Sequence, residues 1–235
     1  MSDISVYTIP EARPFKPLEV FDDYSKRREL QKTATKLLES DSFETAVKLP
    51  AGVSLNDWLA LHCFEFYNQV SILWGTFAPC THEDCPKMRA GSAFEYTWEG
   101  SSQQSTSAPD YVDRMMTWIK DQLEDTSTFP RTIGKSDFVV FLRQHAFFNN
   151  LSWFFGEQQT ESEYPEQFQK IVKIIFLRLF RAYAHLYLEH VSIVIEEDGF
   201  PYLIYSLKHF FNFVIEFKLI QKADMKPLGS VFNSF

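Results

Sequence analysis

Glycine is scarce, at 8 residues in 235. A chain so short of it lacks the turn-rich punctuation of a sandwich or barrel. Its apolar residues recur mainly at helical spacing, so an all-β fold is excluded in favour of a mostly α one. Cysteine is scarcer still, at three residues. An odd number with no secretory leader pattern ahead of it argues against a disulfide framework. The expectation is a reducing cytoplasmic or nuclear compartment, where cysteine pairs more often hold metal. No run of about 18 uncharged apolar residues occurs, so no membrane-spanning helix is expected. Positive charge is in deficit, with 23 Lys and Arg against 31 Asp and Glu and a net charge of -8. Phosphate contacts need clustered Lys and Arg, so nucleic acid is excluded as a partner and a basic protein segment suits the balance better. Catalytic signatures are missing as well: there is no HExxH, no GxSxG and no glycine-rich phosphate loop. Glu196, Glu197 and Asp198 read as a solvated helix end, not as a paired acid and base.

What is abundant is apolar and aromatic surface, 45% hydrophobic and 17% aromatic with 24 Phe, enough for a sizeable core. Residues 1–20 carry three prolines and no periodicity and read as a flexible arm. Residues 22–40 read as a polar surface helix with a thin apolar stripe. A turn at 49–54 precedes a buried helix over 55–73, with Ser54 as N-cap and Asp57 completing a capping box. Within it, Cys63 reads as a small core residue and His62 as a satisfied, partly buried histidine. Residues 74–90 read as a loop. Phe94-Glu-Tyr-Thr-Trp98, followed by Glu99-Gly100 and a Ser/Gln run, alternates as a short β-hairpin does. Pro109 near N1 opens a helix over 111–124. The aromatic stretch 135–163 reads either as an extra helix or as a strand pair. Pro165 starts a long helix reaching about Glu189, a turn follows at 198–201, and a buried helix covers 202–219. A last short helix falls within 223–233. The fold class is all-α, a mostly helical bundle with one short hairpin, in a single domain over 21–235.

Two pairs of soft donors stand out, Cys80-Thr-His-Glu-Asp-Cys85 and, about a hundred residues on, His185 and His190 at the end of the long helix. Two thiolates and two imidazoles suit tetrahedral zinc, and four protein ligands leave no open position for water. Such a site is structural, which argues against a zinc hydrolase. The spacing is also far from that of a nucleic-acid-binding zinc finger. His82, between the cysteines, is a rival ligand, and thiols and histidines without any metal are the plain alternative. Residues five apart on an α-helix diverge by about 140° around the axis. Either the helix frays after Leu188, the favoured reading, or a π-bulge brings the two histidines into line.

Several long motifs stand in order along the chain. They are LPAGVSLNDWLALHCFEFYNQVSILWGT, CTHEDCPKMRAGSAFEYTW, SAPDYVDRMMTWIKDQLED, TFPRTIG, LRLFRAYAHLYLEH and LKHFFNFVIEFKLIQKADMKPL. Together they resemble the Mob/phocein family of kinase regulators, over roughly 49–228 apart from 135–163. The resemblance implies a compact helical fold with a hairpin and one structural zinc ion, Zn(2+), on Cys80, Cys85, His185 and His190. It implies a non-catalytic co-activator that binds the basic N-terminal segment of NDR/LATS-type AGC kinases in Hippo or mitotic-exit signalling. Some members bind phosphopeptides of Ste20-like kinases. The family's phosphothreonine-binding cluster Lys-Arg-Leu-Phe-Arg reads here Leu177-Arg178-Leu179-Phe180-Arg181. Arg178 and Arg181 keep the i, i+3 spacing that lets two guanidiniums fork onto one phosphate. Asp57 and Trp58 are the expected kinase-docking pair. Val53 and Ser54 stand where activators carry Glu-Asp, and Leu37 stands where they carry a regulatory threonine, with Thr35 two residues earlier. These departures, and a stretch at 135–163 that reads as an inserted lobe or a translated intron, mark a divergent member.

Overall fold

The computed structural model describes residues 42–77, 80–98, 105–130 and 164–232. The expected arm at 1–20, the polar helix at 22–40, Thr35, Leu37 and the stretch 135–163 lie outside the described residues. Its elements in chain order are α1 (Phe43–Ala46), α2 (Leu55–Phe77), β1 (Arg89–Ala90), β2 (Phe94–Glu95), α3 (Ala108–Glu124), α4 (Phe168–Glu196), α5 (Phe200–Glu216), a 3-10 turn at Lys226–Leu228 and α6 (Gly229–Phe232).

The long helix α4 is the organising element. It packs against α2 most extensively and also against α3, α5 and β1. Helix α2 is apolar around most of its circumference, and Trp58, Leu61, Phe66, Val70 and Leu73 are all buried on it. Its ring Phe66 meets Phe176 of α4 at 5.5 Å and Phe210 of α5 at 5.2 Å between centroids. Edge-to-face contacts at this range add to area burial and fix the three helices against each other.

Helix α3 follows from its sequence with little help from its surroundings. The Ser107 hydroxyl accepts from the Asp110 amide, a proline stands in the first turn, and Tyr111, Val112, Met115, Met116, Ile119 and Leu123 make one buried stripe. Both α4 and α5 close with the same device. Asp198 and Lys218 take left-handed backbone, φ 55° and 50°. The next amides, Gly199 and Leu219, donate back to Val194 and Val214 carbonyls at 2.8 and 3.0 Å. This 6→1 bond satisfies carbonyls that the helix leaves without partners.

Several sequence expectations shift. Helix α2 runs to Phe77 and not to residue 73, and α3 begins at Ala108 and not at 111. Helix α4 begins at Phe168, three residues past Pro165, and continues to Glu196. Fraying after Leu188 and a π-bulge are both overturned, because regular α-helix passes unbroken through His190. Helix α5 spans Phe200–Glu216, two residues earlier at its start than the periodicity suggested. The hairpin pairs backwards: Arg89 faces Glu95 and Ala90 faces Phe94. Gly91, at φ 64°, supplies the turn, so the strand seen at 94–98 finds its partner upstream and not beyond Gly100.

Candidate metal centre

The segment 80–85 is a tight turn made by its own side chains. Thr81 Oγ1 accepts from the Asp84 amide at 3.0 Å and donates to Asp84 Oδ2 at 2.7 Å. The Cys85 amide donates to the Thr81 carbonyl at 3.0 Å. That compaction turns both sulfurs to one side. The Cys85 carbonyl then accepts from the Ala108 amide at 2.9 Å, which fastens the turn to the start of α3.

Against this turn stands α4. Cys80 Sγ lies 3.3 Å from His185 Nε2 and 2.9 Å from His190 Nε2. Cys85 Sγ lies 3.3 Å from His190 Nε2, and the two Nε2 atoms are 3.2 Å apart. All four donor atoms lie within 4.8 Å of one another. Zinc bonds of about 2.3 Å to sulfur and about 2.0–2.1 Å to nitrogen make tetrahedral edges of about 3.3–3.8 Å. The four donors therefore lie close enough together to share one four-coordinate ion, and the four side chains singled out in the sequence converge on one point.

The chemistry of the donors agrees. Burial pushes the Cys80 thiol well above its usual range, with the neighbouring Cys85 adding to it, and burial also raises Cys85. Burial lowers His185 to about 4, partly opposed by the hydrogen bond that its ring donates to the Arg89 carbonyl, and lowers His190. Burial keeps both imidazoles neutral, the form in which their nitrogens can ligate a metal, and a bound cation would favour the thiolates that burial disfavours.

His185 Nδ1 lies 2.7 Å from the Arg89 carbonyl oxygen. A carbonyl only accepts, so Nδ1 carries the proton and Nε2 presents a lone pair to the cluster. The Trp74 ring packs against this imidazole, 5.7 Å between centroids. His82, the rival ligand, is exposed and pairs with Asp110 Oδ1 at 3.1 Å, away from the cluster.

The other expected site residues are placed differently. Asp57 is 2% exposed and Trp58 0%, so the docking pair read from the sequence is corrected: neither side chain is offered to a partner. Asp57 Oδ1 accepts from the Tyr164 hydroxyl at 2.7 Å, and Trp58 Nε1 donates to the Val47 carbonyl at 3.1 Å. They fix the start of α2 to the chain just before α4 and to the turn after α1. Arg178 is held between two indoles, its guanidinium carbon 4.1 Å from the centroids of both Trp98 and Trp118. Arg181 Nη1 donates to the Tyr111 hydroxyl at 2.7 Å, and its guanidinium carbon lies 5.2 Å from the Tyr96 ring centroid. His62 is wholly buried, donates from Nδ1 to the Trp58 carbonyl at 2.9 Å and stacks on Phe213. Cys63 is buried in the core.

Sequence reasoning missed Glu189 and Arg89. Glu189 Oε2 accepts from Arg89 Nε at 3.0 Å and Oε1 from the Gly91 amide at 2.8 Å. The one available signal was spacing, since Glu189 stands a turn beyond His185 on the same helix face. The rings around the two arginines were also missed, because a residue such as Trp118 carries no mark in sequence of what it will cover. Among the described residues no helix is long and apolar enough to cross a membrane.

Comparison with known proteins adds an independent observation. The sequence pattern of the Mob1/phocein family matches residues 35–228. A MOB kinase activator-like 1 homolog A of Dictyostelium discoideum is 37% identical over 229 residues, 95% of each chain. The MOB kinase activator-like 1A of Medicago sativa subsp. falcata is 35% identical over 227 residues, 94% of this chain and 93% of that one. The MOB kinase activator-like 1B of Arabidopsis thaliana is 35% identical with the same coverage.

Proposed function

The chain belongs to the Mob1/phocein family, and from that membership we propose that it is a non-catalytic regulator of protein kinases, an adaptor held in shape by one zinc ion. Cys80, Cys85, His185 and His190 hold the ion, and its full protein shell gives it a structural role. The observation that carries the reading is the convergence of these four donors within 4.8 Å, in a chain whose relatives bear kinase-activator names. The partner is the basic N-terminal segment of an NDR/LATS-type AGC kinase, which suits a net charge of -8. Asp57 and Trp58 are buried, so they set the position of α2 and do not themselves touch the partner. The protein works in the cytoplasm or nucleus. Co-purification with a tagged NDR-type kinase, binding that weakens as salt rises, is the expected result. Recovery of no AGC kinase at any salt rejects it.

A second reading, a phosphopeptide-binding scaffold of kinase and phosphatase complexes, draws on Arg178 and Arg181. Aromatic rings flank both guanidiniums, with the Arg178 carbon 4.1 Å from the Trp98 and Trp118 centroids and the Arg181 carbon 5.2 Å from that of Tyr96. A stacked guanidinium directs its N–H groups along its own plane, the geometry that grips a phosphate. A phosphothreonine peptide from an upstream Ste20-like kinase is the probe. Changing both arginines to alanine abolishes phospho-dependent binding if the reading holds, and unchanged affinity rejects it.

A further inference from the structure

The Glu189 carboxylate stands between the metal centre and the hairpin without joining the cluster. Its side chain is 14% exposed, and each of its oxygens has a task. One accepts from Arg89 Nε at 3.0 Å, the other from the Gly91 amide at 2.8 Å. Between those two anchor points lies the Arg89 carbonyl, the group that takes the proton of His185 Nδ1 at 2.7 Å. Strand β1 has only two residues, Arg89 and Ala90, and turns at once through Gly91 at φ 64°. On the upstream side of Arg89 the Met88 carbonyl accepts from the Tyr96 amide at 2.7 Å. On the downstream side Glu189 holds the Gly91 amide, and it does so from His185's own helix, one turn along.

We infer that Glu189 is a positioning residue for the metal centre: by bridging Arg89 and Gly91 it aims the Arg89 carbonyl at His185 Nδ1 and so fixes the tautomer and orientation in which Nε2 faces the ion. The inference rests on the reading of the four donors as a metal site. Partners of this outer kind set ligand orientation and basicity, and their removal typically costs 10–100-fold in metal affinity. The ion pair itself contributes little through charge, since Arg89 is 52% exposed. The geometric bridge matters more, so the Gly91 half of it outweighs the Arg89 half. Glu189→Gln keeps an acceptor for the Gly91 amide and loses the charge, whereas Glu189→Ala loses both contacts.

The test uses the full chain titrated with cobalt(II), whose absorption reports ligand field as well as affinity. The parent chain is expected to bind one equivalent with a tetrahedral spectrum. Glu189→Ala is expected to weaken binding about 10–100-fold and to shift the cobalt bands, with Glu189→Gln intermediate and Glu196→Ala, on the exposed end of the same helix, unchanged. If Glu189→Ala fails to fold, Glu189→Gln and Arg89→Ala carry the measurement, with Glu189→Gln expected to weaken binding severalfold and Arg89→Ala by less. Cobalt affinity and spectrum unchanged in Glu189→Gln and Glu189→Ala overturn the inference and leave the metal reading standing. No cobalt binding by the parent chain overturns the metal reading, and the inference with it.

Discussion

The Nε2 atoms of His185 and His190 lie 3.2 Å apart although the residues sit well over a full turn apart on an unbroken helix. The divergence of about 140° between their Cβ directions is absorbed by the reach of two imidazole arms. Both bend to the side of α4 where the 80–85 turn presents its sulfurs. The His185 arm is fixed by a backbone carbonyl and meets the Cys80 sulfur, and the His190 arm lies against both sulfurs.

Metal removal is the first consequence. Stripping the protein with a strong chelator, or changing Cys80→Ser or His190→Ala, should lower stability by an amount on the order of several kcal/mol. Thermal unfolding with and without added zinc measures it. His82→Ala should change neither metal content nor melting temperature, because His82 is exposed and engaged with Asp110. Equal loss in His82→Ala would mean that the ligand set is misassigned.

Acid should destabilise the core through its buried histidines. Burial lowers His62 to about 4, opposed in part by the Trp58 carbonyl, and burial lowers His209 well below its ordinary range, with His62 beside it. The folded state therefore prefers the neutral ring. Its stabilisation is complete above the unfolded value of 6.5 and is lost as pH falls from there through about 4. For His62 alone the full loss is roughly 3 kcal/mol. Denaturant midpoints between pH 7 and 4 should fall steeply in the parent chain. In His62→Phe, which keeps the ring stack on Phe213, the fall should be shallower by about one proton.

Gly199 is required by the ring beside it. A Cβ there would stand 2.5 Å from Cε1 and Cζ of Phe77, and the Phe77 side chain is buried. Gly199→Ala should cost about 1–3 kcal/mol through overpacking. Pairing it with Phe77→Leu should recover part of that loss, a coupling that a double-mutant cycle reads directly.

The indole sandwich around Arg178 makes a distinction that charge alone would not. Lysine keeps the charge but has no plane to lie between Trp98 and Trp118, so Arg178→Lys should destabilise by about 1–2 kcal/mol. Tryptophan emission should change with it. If Arg178→Lys matches the parent in both, the rings are neighbours and not a clamp.

Much of the helical plan was legible in the order of residues. Ser107 with Pro109, the Tyr111-to-Leu123 stripe and the apolar run of α2 announce their helices locally, because capping and periodicity are properties of neighbours in sequence. The identities of the four donors were equally readable, since thiolate and imidazole chemistry belongs to the residue type. What only tertiary structure decided was where those residues face. Asp57 and Trp58 look like a polar and aromatic docking pair until Tyr164 and Val47 close over them. The strand at Phe94 alternates whichever neighbour it takes, and the turn at Gly91 selected the upstream one. Helix α4 outlasts both histidines because its far end is closed by the left-handed Asp198 and the Gly199 bond to Val194, well beyond them. Local sequence sets which backbone shape each segment prefers. Long-range packing alone settles which side chains are covered and which four meet.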